Sequence, residues 1–306
     1  MTLARAASWL TWQFAGDQTA TGRRIPVLSY HRVLPEYREG RHPIYTVFPE
    51  QFASQMAFLR EAGFASLSLT DYAEIAGGWR PPPQRAVLIT FDDGYADNYH
   101  LAWPIAARYA MQINLFVCTR LVGLGEAIVM TEDGYVSSVL APPEMEGRGL
   151  SHLQKFPHLW RPLTWQELAE MQDSGVEIGF HGHGHRNMAS LTAEEITADI
   201  AAGITVFERQ LGYRPQFFAF PYGGYDSYNP EVVGVIRRFG LDFMFAAHLG
   251  RARFPSAPTV LPRLPIYQED NLAVFQRKIF GGYDWVGQIQ RLEHLMRLAA
   301  RKVKPV

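Results

Sequence analysis

The stretch Ala86-Val87-Leu88-Ile89-Thr90-Phe91-Asp92-Asp93-Gly94-Tyr95 sets an unbroken apolar run against two adjacent carboxylates and a glycine. Apolar residues without alternation are the pattern of a strand covered on both faces, as in a parallel sheet flanked by helices. Gly94 breaks the run. Two like charges at the mouth of a buried strand repel each other and lose solvation, an arrangement in which one carboxylate takes a cation and the other serves as a base. Asp and Gly also dominate ordinary turns, so a simple strand-end turn is an equally open reading of the pair taken alone.

A second cluster narrows the choice. Val176-Glu177-Ile178-Gly179-Phe180 runs into His181-Gly182-His183-Gly184-His185, three histidines alternating with glycines. Neutral imidazole is the commonest metal ligand, and two imidazoles with one carboxylate make an open site with positions left for water and substrate. Gly182 and Gly184 let the backbone fold tightly enough to aim His181 and His185 at one point. A sticky surface tract is the competing reading, and the strand pattern before it argues against that.

Strand-like runs recur at residues 27–31, 65–69, 86–91, 113–119, 176–181, 217–220, 243–247 and 260–266, with helical patterns between most of them. Phe52, Met56 and Leu59 fall at helical spacing, while Thr164 with Glu167 and Thr192 with Glu195 carry capping-box signatures. This β/α alternation predicts a barrel, whose active site lies at the carboxyl ends of its strands. His31, Asp92, Asp93, His181 and Pro221-Tyr222-Gly223 all stand just past such ends.

The ordered motifs Thr90-Phe91-Asp92-Asp93-Gly94-Tyr95, His181 to His185, and Phe218-Ala219-Phe220-Pro221-Tyr222-Gly223 resemble those of the polysaccharide deacetylases, carbohydrate esterase family 4 with its NodB-homology domain. Val27 to Val33 and Leu261-Pro262-Arg263 extend the resemblance over about residues 25–270. It implies a distorted (β/α) barrel of about seven strands and metal-dependent removal of N-acetyl groups from an amino-sugar-containing glycan or glycan precursor. Carried over by residue, Asp92 is the general base, Asp93, His181 and His185 are metal ligands, and the backbone amide of Tyr222 helps to hold the oxyanion. The implied cofactor is a divalent ion, zinc first, with cobalt or nickel as alternatives. Such an ion acidifies water and polarises an amide carbonyl, and a carboxylate nearby takes the proton.

Three positions depart from that family's pattern. Gly182 stands where a hydroxyl residue is usual, and Ala219 where an arginine often holds the base; Arg263, on a later strand, is a candidate substitute. The usual late Leu-x-His segment is absent from residues 261–267, so His31 becomes the candidate general acid, with His248 second. Two other functions stay open: hydrolysis of a small non-sugar amide or imide, and an inactive carbohydrate-binding relative. Retention of Asp92 speaks against the latter.

Flat rings with a polar edge suit sugar faces, which makes Tyr95, Tyr222, Trp160 and Trp165 candidates for a substrate cleft alongside Gly223; core packing is the competing reading. The stretch 124–161 has no periodicity and contains Pro142-Pro143, which reads as a long insertion of the lid or binding-loop kind.

Composition bounds the rest. A chain of 306 residues with 47% hydrophobic content can bury one large core, and a net charge of −1 gives no electrostatic reason for a nucleic-acid partner. The single cysteine, Cys118, lies in an apolar run and reads as core. Residues 1–24 read as an N-terminal extension, with 25–306 as the barrel and a C-terminal amphipathic helix. The apolar stretch near the N-terminus is too short and too interrupted for a secretion signal or a membrane span, so a cytoplasmic location is expected. Residues 285–303 carry Ile289, Leu292, Leu295, Met296 and Ala299 on one stripe among basic residues. Docking onto the barrel is the first expectation for this helix and attachment to a membrane surface the second.

Overall fold

A computed structural model describes residues 24–35, 45–125, 128–131, 134–137, 155–253 and 260–303. The expected N-terminal extension therefore lies outside the described residues, apart from Arg24. The strand-like runs become β1 (Val27–Tyr30), β2 (Ala65–Leu67), β3 (Ala86–Phe91), β4 (Asn114–Val117), β5 (Glu177–Phe180), β6 (Phe217–Ala219), β7 (Phe243–Phe245), β8 (Val260–Leu261) and β9 (Leu264–Pro265). All pair in parallel, in the order β8-β7-β6-β5-β4-β3-β1-β9, with β2 added to β3.

The two ends of that path are halves of one segment. Only Pro262 and Arg263 separate β8, which pairs Val260 with Met244, from β9, which pairs Leu264 with Leu28. One broken strand thus bridges both edges, and the sheet closes into a parallel barrel with β2 outside the ring. The expected barrel of about seven strands is found, and the run expected over 260–266 is split in two. The reason lies in Pro262, which has no N–H for a ladder.

Side-chain parity then sorts the strands. Leu28, Tyr30, Val87, Ile89, Leu115, Val117, Ile178, Phe180 and Phe218 pack outward with helix residues such as Phe52, Met56, Leu168 and Ile200 in one cluster. Val27, Leu88, Phe116, Ala219, Phe245 and Leu261 form a second cluster within the ring, with Tyr72 and Ile75 closing its lower end. Along β3, Leu88 has inward parity, and Thr90 and Asp92 follow it at period two. The same rule carries Ser29 on β1 and brings His181 next after Gly179 on β5.

The helices include α1 (Pro49–Glu61), α2 (Leu69–Ala76), α3 (Trp103–Arg108), α4 (Trp165–Asp173), α5 (Ala193–Leu211), α6 (Pro230–Arg237), α7 (Leu272–Ile279) and α8 (Asp284–Val303). Both expected capping boxes form: Thr164 with Glu167 opens α4 and Thr192 with Glu195 opens α5. The insertion over 124–161 contributes a two-stranded antiparallel hairpin, Ile128–Thr131 with Gly134–Ser137, and a helical turn at Pro157–Trp160. None of the described helices is long and apolar enough to cross a membrane.

The stripe on α8 does not dock as expected. Contact is made by other residues instead: the Asp284 carboxylate accepts from Arg24 and Arg251, Gly287 lies where any Cβ would collide with the Leu249 carbonyl, Gln290 Oε1 accepts from the Leu249 amide (3.1 Å), and the His294 ring stacks on Tyr225 at 5.2 Å. The stripe residues Ile289, Leu292, Leu295 and Met296 remain 42–63% exposed.

β2 and β4 share one edge of β3, and Asn114 manages the exchange. Its Nδ2 donates to the carbonyls of Leu67 (3.1 Å) and Ile89 (3.2 Å), and its Oδ1 accepts from the Leu69 amide (3.2 Å). All these groups are buried. Replacing Asn114 with Ala strands two carbonyls and an amide, and should destabilise the fold by about 2–4 kcal/mol in urea unfolding, at roughly 1 kcal/mol per lost bond.

Candidate active site

The carboxyl ends of the strands converge on one buried cluster. Asp93 begins the turn after β3 with a left-handed backbone, φ 72°, and His185 (52°) and Tyr222 (63°) share that conformation. Non-glycine residues held there store about 1–3 kcal/mol each. The Oδ1 of Asp93 lies 3.4 Å from His181 Nε2 and 3.3 Å from His185 Nε2, with all three side chains buried. Neither contact is aligned as a hydrogen bond, and Asp93 Oδ1 and His185 Nδ1 have no donor or acceptor among the described residues.

These separations suit a cation. Two ligand atoms at about 2.0–2.1 Å from a tetrahedral ion stand about 3.3–3.4 Å apart. His181 Nδ1 is 2.8 Å from the Ala219 carbonyl, which fixes that nitrogen as the donor and leaves Nε2 free to ligate. Burial pushes the Asp93 carboxyl up, yet the two imidazoles outweigh it and hold it well below the usual carboxylate range. Burial pushes His181 down, and Asp92 and Asp93 more than reverse this. The donor set, one carboxylate and two imidazoles, therefore fits a divalent ion.

Cys118 stands beside this set. Its Sγ and one nitrogen of each of His181 and His185 lie within 4.8 Å of one another. Its S–H donates to the His181 carbonyl (3.2 Å), and burial pushes the thiol well above its ordinary range, so the sulfur holds its proton.

The loop from Gly182 to His185 is pinned from two sides. Asp199, projecting from α5, accepts from the amides of His183 (2.9 Å) and Gly184 (3.2 Å). From the end of β4, the Thr119 and Arg120 amides donate to the carbonyls of Gly182 and His183. The His183 ring turns aside, with Nδ1 2.9 Å from the Thr119 hydroxyl. Asp199 escapes a motif reading because it lies on a helix, and its only signal is a carboxylate on the buried stripe with Ile196 and Ile200.

Asp92 occupies the other side of the turn. Arg263 donates to both its oxygens, Nη1 to Oδ1 at 2.7 Å and Nη2 to Oδ2 at 2.6 Å, and also reaches the Thr90 hydroxyl and the Ala246 carbonyl at 3.3 Å. Arg263 is fully buried. Burial raises the Asp92 carboxyl, but the Arg263 charge, with His181 and His31, brings it below its ordinary value. Ser29 Oγ lies 3.5 Å from Asp92 Oδ2.

His31 follows β1 and places Nε2 3.9 Å from Asp92 Oδ2. Burial lowers its pKa, and Asp93 and Asp92 pull only partly the other way. Its carbonyl accepts from Asn98 Nδ2 at 2.9 Å. Arg32, the next residue, lies over the rings of Tyr95 (3.9 Å) and Trp160 (4.3 Å) and bonds Asp97, whose other oxygen takes the Val33 amide at 2.5 Å. His248 is engaged elsewhere: its ring stacks on Tyr225 at 4.4 Å, Nε2 lies 2.9 Å from the Tyr228 hydroxyl, and burial lowers its pKa to about 4.

The residues expected to line a cleft are divided. Tyr222 sits at the site, its ring 4.9 Å from that of His185. Gly223 is buried against β7's end, where a Cβ would come within 2.6 Å of Ala247, so its place is a close backbone approach. Tyr95 and Trp160 are buried under the Arg32 guanidinium, and half-buried Trp165 packs against the core at the start of α4. Burial at 3% and 1% exposure gives the Tyr95 and Trp160 rings the competing role of packing.

A sequence profile described as "Polysaccharide deacetylase" matches residues 80–244. YxkH of Bacillus subtilis (strain 168) is 23% identical over 235 residues, covering 77% of this chain and 68% of that protein. The poly-β-1,6-N-acetyl-D-glucosamine N-deacetylase of Escherichia coli (strain K12) is 25% identical over 264 residues, or 82% of this chain; the chain spans only 38% of that relative's length. Among solved structures, the Streptococcus pyogenes deacetylase PplD in complex with acetate superposes with a TM-score of 0.67 at 20% identity, covering 84% of this chain and 98% of that one.

The buried pair makes a test of its own. Arg263→Met leaves an ionised carboxylate buried without a counter-charge and should cost about 3–5 kcal/mol in urea unfolding of the metal-free protein. Arg263→Met combined with Asp92→Leu should recover most of that loss, because both charges are then gone; equal instability of the double variant would deny that the pair carries the cost.

Proposed function

The chain belongs to the polysaccharide deacetylase family, hydrolases of carbon–nitrogen bonds, and on that premise we propose that it removes N-acetyl groups from a polymer of N-acetylglucosamine. The observation that carries the reading is the convergence of Asp93, His181 and His185 on one point, beside an Asp92 that is clamped in ionised form by Arg263. The substrate class is drawn from relatives named for poly-β-1,6-N-acetyl-D-glucosamine.

Asp93, His181 and His185 would hold a divalent ion, with zinc as the first choice for this donor set. When bound, such an ion supplies Lewis acidity that acidifies water and polarises the amide carbonyl. Asp92 then takes a proton from the attacking water as its oxygen bonds the acetyl carbon. The backbone N–H of Tyr222 holds the oxyanion in this reading as the carbonyl opens. Collapse breaks the C–N bond, and the departing nitrogen must be protonated to leave as an amine.

His31 is the proton donor in this scheme. Its lowered pKa makes it neutral at rest, so it is a relay: it receives the proton from Asp92, 3.9 Å away, and passes it to the nitrogen. The products are acetate and a free amino sugar, and both carboxylates return to their starting state.

Acetate release from β-1,6-linked N-acetylglucosamine oligomers, lost with a chelator and restored by zinc, tests the reading; release that ignores the chelator would overturn it. Elemental analysis should find one ion per chain, lost in Asp93→Ala and His181→Ala and kept in His183→Ala. Asp92→Asn should lose at least about a hundredfold in turnover, the usual scale of a general base, while keeping its ion.

The relay has its own signature. His31→Gln should depress hydrolysis of the amide strongly and that of an activated acetyl ester weakly, because the ester's leaving group needs no proton. Equal losses on the two substrates would remove His31 from the proton path.

A further inference from the structure

Four of the five non-glycine residues with a left-handed backbone, among those described, lie in or beside the site: Asp93, His185, Tyr222 and Tyr45 (φ 67°). The first three have roles in the chemistry above. Tyr45 has none, although a bulky residue held there stores about 1–3 kcal/mol. Its ring stacks on His31 with centroids 4.6 Å apart and planes at 24°, and the residue keeps 41% of its surface exposed. Its place is fixed: the Arg32 amide donates to its carbonyl (3.3 Å), and the following Thr46 and Val47 pair in parallel with Arg32 and Val33.

A second ring, half-buried and with Lys278 Nζ 4.8 Å from its centroid, lies beside Tyr45. Tyr267, past the end of β9 on the same face, lies 5.4 Å from Tyr45 at 35°. Its amide donates to Asp270 (2.9 Å), and its carbonyl accepts from Gln51 Nε2 (3.2 Å). Core packing does not explain an aromatic side chain this exposed, and turn geometry alone would favour glycine or asparagine at φ 67°. Fixed rings with polar edges, beside the proton relay at a barrel mouth, match the apolar face of a pyranose ring.

Resting on the deacetylase reading, we propose that Tyr45 and Tyr267 form a stacking subsite for the sugar next to the one that loses its acetyl group. The subsite makes the enzyme favour a chain of sugars over a single one.

The test uses the zinc-loaded full chain with N-acetylglucosamine and its β-1,6-linked pentamer. Tyr45→Ala should raise KM for the pentamer about tenfold and for the single sugar by less than about twofold, as expected for one lost ring contact. Tyr45→Phe, which keeps the ring, should rescue the pentamer. Tyr45→Gly suits the backbone, so it should melt above Tyr45→Ala yet share its KM for the pentamer; that combination separates binding from stability. Equal losses on both substrates would mean that the ring acts only through His31, and an unchanged pentamer KM would also overturn the subsite. Calorimetric titration of the pentamer into Asp92→Asn protein, with and without Tyr45→Ala, needs no turnover. About tenfold weaker binding supports the subsite, and unchanged or undetectable binding in both overturns it. If the wild-type chain releases no acetate, the deacetylase reading falls, while this titration still decides the subsite.

Discussion

A guanidinium and a carboxylate meet inside the barrel with water excluded from both, and this contact between Arg263 and Asp92 ties the fold to the chemistry. The strand that closes the ring is broken at Pro262, and the break turns Arg263 inward at the level where β3 ends in Asp92. A continuous strand would pair evenly with both neighbours and deliver no arginine in this way. Closure of the sheet and ionisation of Asp92 therefore rest on the same six residues.

The opposite side of the site is organised by backbone contacts. The histidine loop offers its amides to Asp199 and its carbonyls to Cys118, Thr119 and Arg120, so the loop that carries His181 and His185 is held by the protein itself. Such preorganisation is what second-layer partners supply to metal sites in general. The Gly182 position, which lacks the hydroxyl usual in the family, is compatible with this scheme because the Asp199 carboxylate passes within 3.5 Å of where a Cβ would be.

The barrel and the meeting of Asp92, Asp93, His181 and His185 were legible in the sequence, since apolar runs mark the strands and period-two parity carries the polar ends inward. Arg263 was legible only as a candidate, because nothing local announces that an arginine in the break between two short strands will reach across the ring. Asn114, Arg32 and Asp199 were not legible: each acts by satisfying backbone or charge distant in sequence, and polar residues of this kind look alike until the fold is closed. Aromatic rings misled for a related reason. Tyr95 and Trp160 have the chemistry of a sugar platform, but Arg32 lies over both rings, whereas Tyr45 stands in a stretch with no periodic pattern.

The pairing of Leu28 with Leu264 joins the first strand of the ring to the last. During synthesis β1 waits for well over two hundred residues before its second neighbour emerges, and Asp92 waits 171 residues for its counter-charge. Until then the nascent chain carries an unpaired sheet edge and a carboxylate that cannot be buried, so the half-made barrel has no stable resting form. Non-local closure of this kind slows folding and prolongs exposure to aggregation. The site thus matures only when the last strand locks the ring, and a chain interrupted before Arg263 would lack closure and catalytic geometry together.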